Sequence, residues 1–359
     1  MKKLDIYIIK KFLGTFFFSI SLLILIVVIF DISEQIDEFI EEDCTIWEII
    51  FDYYLNFIPY FINLFSYLFT FIAVIFFTSK MASNSEIVAI LSSGISFWRF
   101  LYPYLISAVF LGAMSFYLSN FLIPTTNEGL MAFDKTYLKG PYRNRDHNIH
   151  MQITPGTFIY MESYNNLTNT GYKFALENFK DNKLLYKLNA QRILFDSVSR
   201  LWTIKDYSVR ELGANGEEKI FKGKELDTLI NMHPSEFSFI LEDMKTLNWT
   251  ELRDFIARER LKGSKLIKEY EVEKHKRIAF PFSTIILTLI GVSISSRKVR
   301  GGIGMHLGLG LGITFTFILF MQITTVFATR GSLAPALAVW LPNLIYLVVG
   351  LFLLRVAPK

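Results

Sequence analysis

Residues 12–30 read Phe-Leu-Gly-Thr-Phe-Phe-Phe-Ser-Ile-Ser-Leu-Leu-Ile-Leu-Ile-Val-Val-Ile-Phe and contain no charged side chain. A run of about 20 apolar residues is long enough to cross a bilayer core as an α-helix. It is too long for the core of a secretion signal, and no small-residue cleavage motif follows it, so we expect it to stay in the protein. Five further apolar runs lie at residues 57–77, 100–123, 278–295, 303–327 and 333–354.

These runs predict an α-helical membrane protein with six transmembrane helices and a polar insertion between the third and the fourth. The composition agrees, because 52% of the residues are hydrophobic and 35 of them are Phe. The predicted parts are spans one to three with a loop helix at 83–96 (residues 1–123), an inserted all-β domain (124–250), a basic interfacial helix (251–277) and spans four to six (278–359).

The insertion has the pattern of short β-strands, rich in aromatic and β-branched residues and separated by turn-like sequences such as Asp181-Asn182 and residues 214–216. The predicted strands are 157–164, 172–179, 183–195, 201–211 and 219–228. Five such strands without a helical insertion favour a β-sandwich or a jelly-roll-like domain. His147 and His150 precede them in a polar loop and have no partner at a metal-ligand spacing.

The distribution of Lys and Arg predicts the orientation, because these residues mark cytoplasmic loops. They lie before the first span, after the second, after the fourth and after the sixth. The residues concerned are Lys2, Lys3, Lys10, Lys11, Lys80, Arg99, Arg297, Lys298, Arg300, Arg355 and Lys359. Residues 31–45 instead hold seven Asp or Glu and no Lys or Arg. We therefore expect both termini in the cytoplasm and the β domain in the periplasm.

Residues 251–277 carry nine Lys or Arg on the predicted outer side, with Thr250 as the expected helix cap. Two interpretations stay open. The cations can anchor the fourth span, with Glu273 pairing to Arg277 four residues on. Alternatively, Lys274, Lys276 and Arg277 bind lipid phosphates, since Lys and Arg are the residues that bind phosphate.

The sequence contains no motif for catalysis or for nucleotide binding. There is no phosphate-binding loop, and spans one, three, four and six lack ionisable residues between their ends. Span five has only His306. A proton- or ion-coupled carrier needs ionisable groups near mid-membrane. We therefore predict no catalytic residue, cofactor or metal in this chain, and a partner that supplies the energy.

The fifth span carries a stripe of glycines, Gly304, Gly308 and Gly312, at intervals of four residues on one helix face. Small residues at this spacing let another helix backbone come close. One interpretation is ordinary helix packing inside the chain. The other is a face that slides or opens against a neighbouring subunit.

The loop after the second span contains residues 84–96, Asn-Ser-Glu-Ile-Val-Ala-Ile-Leu-Ser-Ser-Gly-Ile-Ser, which predict a short helix. Ser83 and Glu86 have the spacing of a capping box, which gives Glu86 a local role. The helix is also predicted to be an exposed plug for a groove on another protein. The candidate docking residues are Ser85, Glu86, Ile87, Ile90, Leu91 and Gly94.

Three motifs resemble those of one family. A coupling-helix motif is matched by residues 85–89 and 93–96, an E-x-x-x-R-x-x-x-P motif by Glu273, Arg277 and Pro281, and an F-D-x-x-x-x-x-W motif by residues 195–202. With six spans around a β insertion, the chain resembles the LptF/LptG permease family of the lipopolysaccharide exporter, and more its LptG side.

The resemblance implies a permease subunit of an ATP-driven exporter that extracts lipopolysaccharide from the inner membrane. It implies pairing with a second permease of the same type, a cytoplasmic ATPase dimer that uses ATP and Mg and meets Glu86, and a single-span periplasmic bridge component. Lipid would enter between span one of one subunit and span five of the other. It implies no nucleic-acid partner.

One departure concerns the lipid headgroup. LptG-like members place lysines at the outer end of span one, where this chain has the acidic residues 31–38. Three explanations stay open: the partner subunit supplies the charge, the basic helix 251–277 supplies it, or the lipid that the protein handles is less phosphorylated. Two alternatives remain, a permease for another amphipathic envelope lipid and a membrane-anchored β scaffold without transport. A scaffold would not need the loop helix.

Overall fold

The structure is a computed structural model that describes residues 3–138, 147–181, 183–212, 217–237, 241–299 and 301–357. Lys2, Asn182, residues 214–216, Arg300 and Lys359, on which parts of the sequence interpretation rest, lie outside the described residues. The chain separates into two compact units. The helical unit comprises Met1–Phe133 and Lys268–Lys359, and the β unit comprises Asp134–Ile267.

Among the described residues, six helices are long and apolar enough to cross a membrane. They are Lys3–Glu41, Ile46–Ser83, Phe97–Leu138, Ile267–Ser295, Gly302–Arg330 and Pro335–Val356. The predicted class, a six-span helical membrane protein with an inserted β domain, is confirmed.

The helices are labelled in chain order, and two of the long ones are interrupted by π-helical turns. The first six are α1 (Lys3–Glu41), α2 (Ile46–Glu48), α3 (Leu55–Ser83), α4 (Glu86–Ser92), α5 (Phe97–Tyr117) and α6 (Ile123–Phe133). The π turns are Ile49–Tyr54, Leu118–Leu122 and Asp134–Leu138. The others are α7 (Trp249–Lys262), α8 (Ile267–Ser295), α9 (Gly302–Arg330) and α10 (Pro335–Val356).

The third long helix ends later than the sequence predicts. The sequence predicts that the span ends at residue 123, whereas the helix continues through α6 to Leu138. A π turn at Leu118–Leu122 precedes Pro124, which lacks an N–H and cannot make the regular helical bond. The predicted domain boundary at 124 therefore falls inside a helix.

The basic segment 251–277 is two helices rather than one. Asn248, not Thr250, caps α7, and its side chain and Glu251 form a reciprocal capping box. The helix ends at Gly263, whose φ of 73° suits a residue without a Cβ. α8 then starts at Ile267 and runs on to Ser295, so residues 267–277 belong to the fourth long helix.

The β unit contains one antiparallel sheet whose described strands pair in chain order, from β1 to β6. The strands are β1 (His147–Thr154), β2 (Thr157–Asn165), β3 (Thr170–Lys180), β4 (Lys183–Phe195), β5 (Trp202–Leu212) and β6 (Glu218–Thr228). The five predicted strands are confirmed to within two residues. β1, which the sequence suggested to be a polar loop, was missed. The prediction of an all-β domain is confirmed. The described strands form one sheet in meander order rather than the two sheets of a sandwich or jelly roll.

One face of the sheet holds the core of the β unit, where aromatic and aliphatic side chains of neighbouring strands meet. Its fully buried members include Ile159, Met161, Phe174, Leu188, Ile193, Trp202 and Ile204. The indole of Trp202 donates a hydrogen bond to the carbonyl of Met232, 2.9 Å away. α7 contacts β1, so this edge of the sheet is covered by a helix.

A row of irregular backbone crosses the sheet. Asn148, Lys173 and Asp206 have φ values of 57°, 48° and 52°. They lie in alternate strands, and the pairing register places them at the same level, with Glu162 and Gln191 between them. Residues with a Cβ rarely occupy this conformation, and such irregularities bend strands.

Candidate functional site

The short helix α4 lies in the turn between α3 and α5. Ser85 before it has a φ of 61°, and Gly94 after it has a φ of 84°. The predicted capping box does not form, because Ser83 is the last residue of α3 and no side chain caps α4. Two left-handed residues therefore reverse the chain on either side of α4, and at Gly94 this conformation favours the residue without a Cβ.

The carboxylate of Glu86 contacts two side chains. The hydroxyl of Tyr7 in α1 donates to Oε2 over 3.2 Å, and Nδ2 of Asn84 lies 3.3 Å from Oε1. Nζ of Lys298, from the turn between α8 and α9, lies 3.4 Å from Oγ of Ser85. Glu86 is half-buried, so part of its carboxylate still reaches the surface.

The apolar face of α4 turns inward, which corrects the expectation that it is exposed. Ile87 is 1% exposed and lies in the same core cluster as Ile8 and Phe12 of α1. Ile90 and Leu91 pack against this cluster. This face is apolar and covers one end of the helix bundle, so it is buried there by the hydrophobic effect. A partner would therefore meet the opposite face.

That opposite face is small and polar, with one aliphatic residue, Val88, which is 56% exposed. Ser85, Ala89, Ser92 and Ser93 are exposed beside it. Such a surface, with Glu86 at its edge, can dock closely against another protein because its own side chains are short, and Lys298 adds a cation beside Ser85.

An ion pair that the sequence analysis missed joins α1 to α5. Nη2 of Arg99 donates to Oδ2 of Asp5 over 2.7 Å, and Nη1 lies 2.7 Å from Oδ1. Asp5 is 1% exposed. A carboxylate so buried within an apolar bundle is a signal for a paired charge.

The glycine stripe of α9 does not pack against other described parts of the chain. Among the described residues, a Cβ at Gly304, Gly308 or Gly312 would meet nothing within 4 Å. The glycine of α9 that does pack internally is Gly310, where a Cβ would overlap Cδ1 of Ile75. The stripe therefore faces away from the other elements of this chain, which leaves lipid or another subunit as its neighbour.

The three phosphate candidates differ in their surroundings. Arg277 is 4% exposed, and its Nε lies 3.6 Å from Oε1 of Glu273. The expected ion pair is thus present, and Glu273 is the partner of the Arg277 side chain. Lys274 and Lys276 are half-buried on the same helix. Pro281, the last residue of this motif, packs where Gly112 of α5 approaches, with 3.0 Å between its carbonyl oxygen and a Cβ built on Gly112.

The acidic stretch at the end of α1 has a structural role. Both oxygens of Asp31 accept hydrogen bonds, from Tyr53 at 3.2 Å and from Tyr54 at 2.9 Å. Beside them lies an open hollow of about 760 Å³. Its walls are mainly aliphatic: Val28, Ile32, Ile36, Ile40, Ile46, Ile49, Ile50 and Ile58, with Phe39, Tyr54, Asp43 and Cys44. Such walls suit a hydrocarbon chain and not a phosphate.

The third motif is a turn between β4 and β5. Phe195 and Trp202 stack edge to face with ring centroids 5.1 Å apart. The Asp196 carboxylate accepts from the backbone N–H groups of Val198 and Ser199. Hydrogen bonds from Ser199 and from these N–H groups lower the pKa of Asp196. This motif therefore stabilises the sheet, and no ligand contact follows from it.

Six membrane-capable helices, an inserted β sheet and a short helix between two spans define a polytopic helical membrane protein with an inserted β domain. The chain belongs to the lipopolysaccharide export system permease LptF/LptG family, whose family model matches residues 6–356. None of the curated proteins compared with the chain matches it.

The protein is therefore a permease component of lipopolysaccharide export and an inner-membrane protein. Its family is a transport component and not an enzyme. This agrees with the sequence, in which no motif for catalysis was found.

Proposed function

We propose that the chain is one of two permease subunits of an ATP-driven exporter, that it lies closer to the LptG side of the family, and that a separate ATPase dimer docks on α4. The observation that carries the proposal is the surface of α4. Its apolar face is used inside the chain, whereas its small polar face and the edge of Glu86 remain accessible. ATP and Mg are bound by the ATPase, and this chain needs no cofactor.

The second permease subunit meets this chain along α1 and α9. Both helices expose large apolar residues over most of their length, among them Phe18 and Leu25 in α1 and Phe315 and Phe327 in α9. The open glycine stripe at Gly304, Gly308 and Gly312 lets a partner helix approach α9 closely. Lipopolysaccharide enters the complex between these faces.

The lipid then leaves towards the periplasm. Three long helices precede the β unit and three follow it among the described residues. An odd number of crossings before the insertion supports a β unit on the side opposite to the N-terminus. With the Lys and Arg pattern, it supports cytoplasmic termini and a periplasmic β unit, which passes acyl chains to a single-span bridge component.

Replacing Glu86 tests the docking role. Glu86→Ala removes a charge-assisted contact, which is worth about 1.5–3 kcal/mol, and binding of the ATPase should weaken roughly tenfold to a hundredfold. Lipopolysaccharide extraction should fall with it, while the chain still inserts into the membrane. The measurements are co-purification of the ATPase and lipid release from proteoliposomes.

Glu86→Gln is the matched control, because it keeps an oxygen for the hydroxyl of Tyr7 but removes the charge. Weak binding in both variants supports a charged contact with the ATPase. Normal binding and normal extraction in Glu86→Ala would leave Glu86 with a local role and would contradict the proposed docking.

A further inference from the structure

α1 is packed into the chain mainly through its N-terminal half. Its buried residues follow a helical spacing from Asp5 to Ile20, and the next buried residue is Phe39. At 1.5 Å per residue, the interval from Ile20 to Phe39 corresponds to about 28 Å of helix. Over this length one side of α1 faces away from the rest of the chain.

Two polar contacts attach the N-terminal end of α1 to the elements that flank α4. The hydroxyl of Tyr7 donates to Glu86, the first residue of α4. The carboxylate of Asp5 pairs with Arg99, the third residue of α5. Only residues 93–96 separate α4 from α5, so the two contacts hold the start of α4 and the start of α5 against the same turn of α1.

The ion pair is the stronger of the two contacts. Nη2 of Arg99 donates a hydrogen bond to Oδ2 of Asp5 over 2.7 Å, and Nη1 lies 2.7 Å from Oδ1 in the same ion pair. A hydrogen bond between two charged groups is stronger than one between neutral groups. Because Asp5 is buried, breaking the pair leaves a carboxylate in an apolar surrounding, which is costly.

The opposite end of α1 is held differently. There Asp31 accepts hydrogen bonds from the neutral hydroxyls of Tyr53 and Tyr54. These bonds have one charged partner, whereas the bond between Arg99 and Asp5 has two. Phe39, near the same end, packs edge to face against Tyr53 and Phe133. The ion pair therefore holds the end of α1 that contacts α4, and the other end is held by neutral donors and aromatic packing.

We propose that Asp5, Tyr7 and Arg99 are positioning residues that couple α4 to α1, so that a movement of the docked ATPase moves this span. The inference rests on the proposed docking role of α4. It assigns to α1 the motion that opens and closes the path of the lipid, and it gives Arg99 a role besides marking the cytoplasmic side.

The test uses the whole complex in proteoliposomes that contain lipopolysaccharide, with partner subunits that lack cysteine. Cys44, the single cysteine of this chain, follows α1 by three residues and carries a spin label. The electron paramagnetic resonance spectrum of the label is recorded without nucleotide and again with ATP and vanadate. In the native chain we expect a nucleotide-dependent change at this label.

The variants are Asp5→Asn and Tyr7→Phe, with Tyr117→Phe, at the other end of α5, as the matched control. In the first two, we expect the ATPase to stay bound and the change at Cys44 to disappear. Lipid extracted per ATP should fall by about tenfold, which corresponds to about 1.4 kcal/mol of coupling free energy. Arg99→Lys keeps the charge but loses the paired geometry and should be intermediate.

Tyr7→Phe removes one oxygen atom from a partly exposed side chain, so it decides the test if Asp5→Asn does not assemble. Variants that bind the ATPase, extract lipid at the native rate and keep the change at Cys44 contradict the inference. A native chain that binds no ATPase contradicts the proposed function instead. The two failures are therefore distinguishable.

Discussion

The cations at the start of α8 differ in how far they reach solvent, and this decides which of them can meet a lipid. Arg277 is almost fully buried beside Glu273, whereas Lys274 and Lys276 are half-buried. The lysines therefore remain the candidates for lipid phosphates, and Arg277 takes the structural part of the motif.

Charge reversal at the two lysines separates their role in lipid binding from the structural role of Arg277. We expect Lys274→Glu with Lys276→Glu to weaken lipopolysaccharide binding, and the difference from the native chain to shrink as salt is added, because exposed charges are screened. Insertion and ATPase binding should be unaffected. Lipid binding by the purified complex at low and at moderate salt is the measurement.

Arg277→Met is the control. This variant removes the buried cation and its contact with Glu273, so it should lower the yield of folded protein to the same extent at low and at moderate salt. If reversal of the two lysines leaves lipid binding unchanged at both salt concentrations, the segment is an anchor and the phosphate contact lies elsewhere.

At the scale of a helix, α9 has glycines on two faces, and we expect bulky substitutions to have different effects on them. Gly308→Leu puts bulk on the open face and should leave this chain folded, because nothing lies within 4 Å of its Cβ position. Pairing with the second permease subunit, or the entry of lipid between the subunits, should fail. Pull-down of the partner and lipid extraction measure the two effects.

Gly310→Leu provides the comparison, since a Cβ there already overlaps Ile75. Overpacking in a tight interior costs typically about 1–3 kcal/mol, so this variant should fold poorly as an isolated subunit. Native pairing and native extraction by Gly308→Leu would show that the open stripe faces only lipid.

How far the sequence predicts each element depends on whether the signal is local. Strands β2 to β6 were predicted because aromatic and β-branched residues mark them. β1 was missed because it begins His147-Asn148-Ile149-His150, and Asn148 has the left-handed conformation. The sequence predicts the helix α4, but its prediction that the apolar face is exposed is wrong, because a helical stripe does not say whether its own chain or a partner covers it.

At the scale of the whole chain, the six spans follow from apolar length alone, whereas the contacts between them do not. Asp5 and Arg99 are 94 residues apart, and Tyr7 and Glu86 are 79 apart. No periodicity links such positions. The orientation can be predicted from the charges, and it has a direct test in Cys44.

We expect Cys44 to react with a membrane-impermeant maleimide from the periplasmic side of intact cells. Burial, followed by Glu48, Glu42 and Asp43, raises the pKa of its thiol. The thiolate is the reactive form, so labelling should be slow at neutral pH and should still accelerate above about pH 8.5, the pKa of an unperturbed thiol.

The matched control is Cys44→Ser with Ser83→Cys, which moves the single thiol to the exposed end of α3. This site should be labelled only after the membrane is opened. Labelling of the Ser83→Cys thiol in intact cells together with protection of Cys44 would invert the proposed orientation.

The meander order of the sheet has a consequence for biogenesis. Every described strand pairs with the strand that precedes it in the chain, from β1 to β6. Contacts between neighbours in sequence form fastest, because little chain must be closed into loops. As the segment is synthesised, each strand can pair with the strand made just before it, and the sheet can grow one hairpin at a time. α7, which follows the six strands in the chain, then covers the edge of β1, the strand made first.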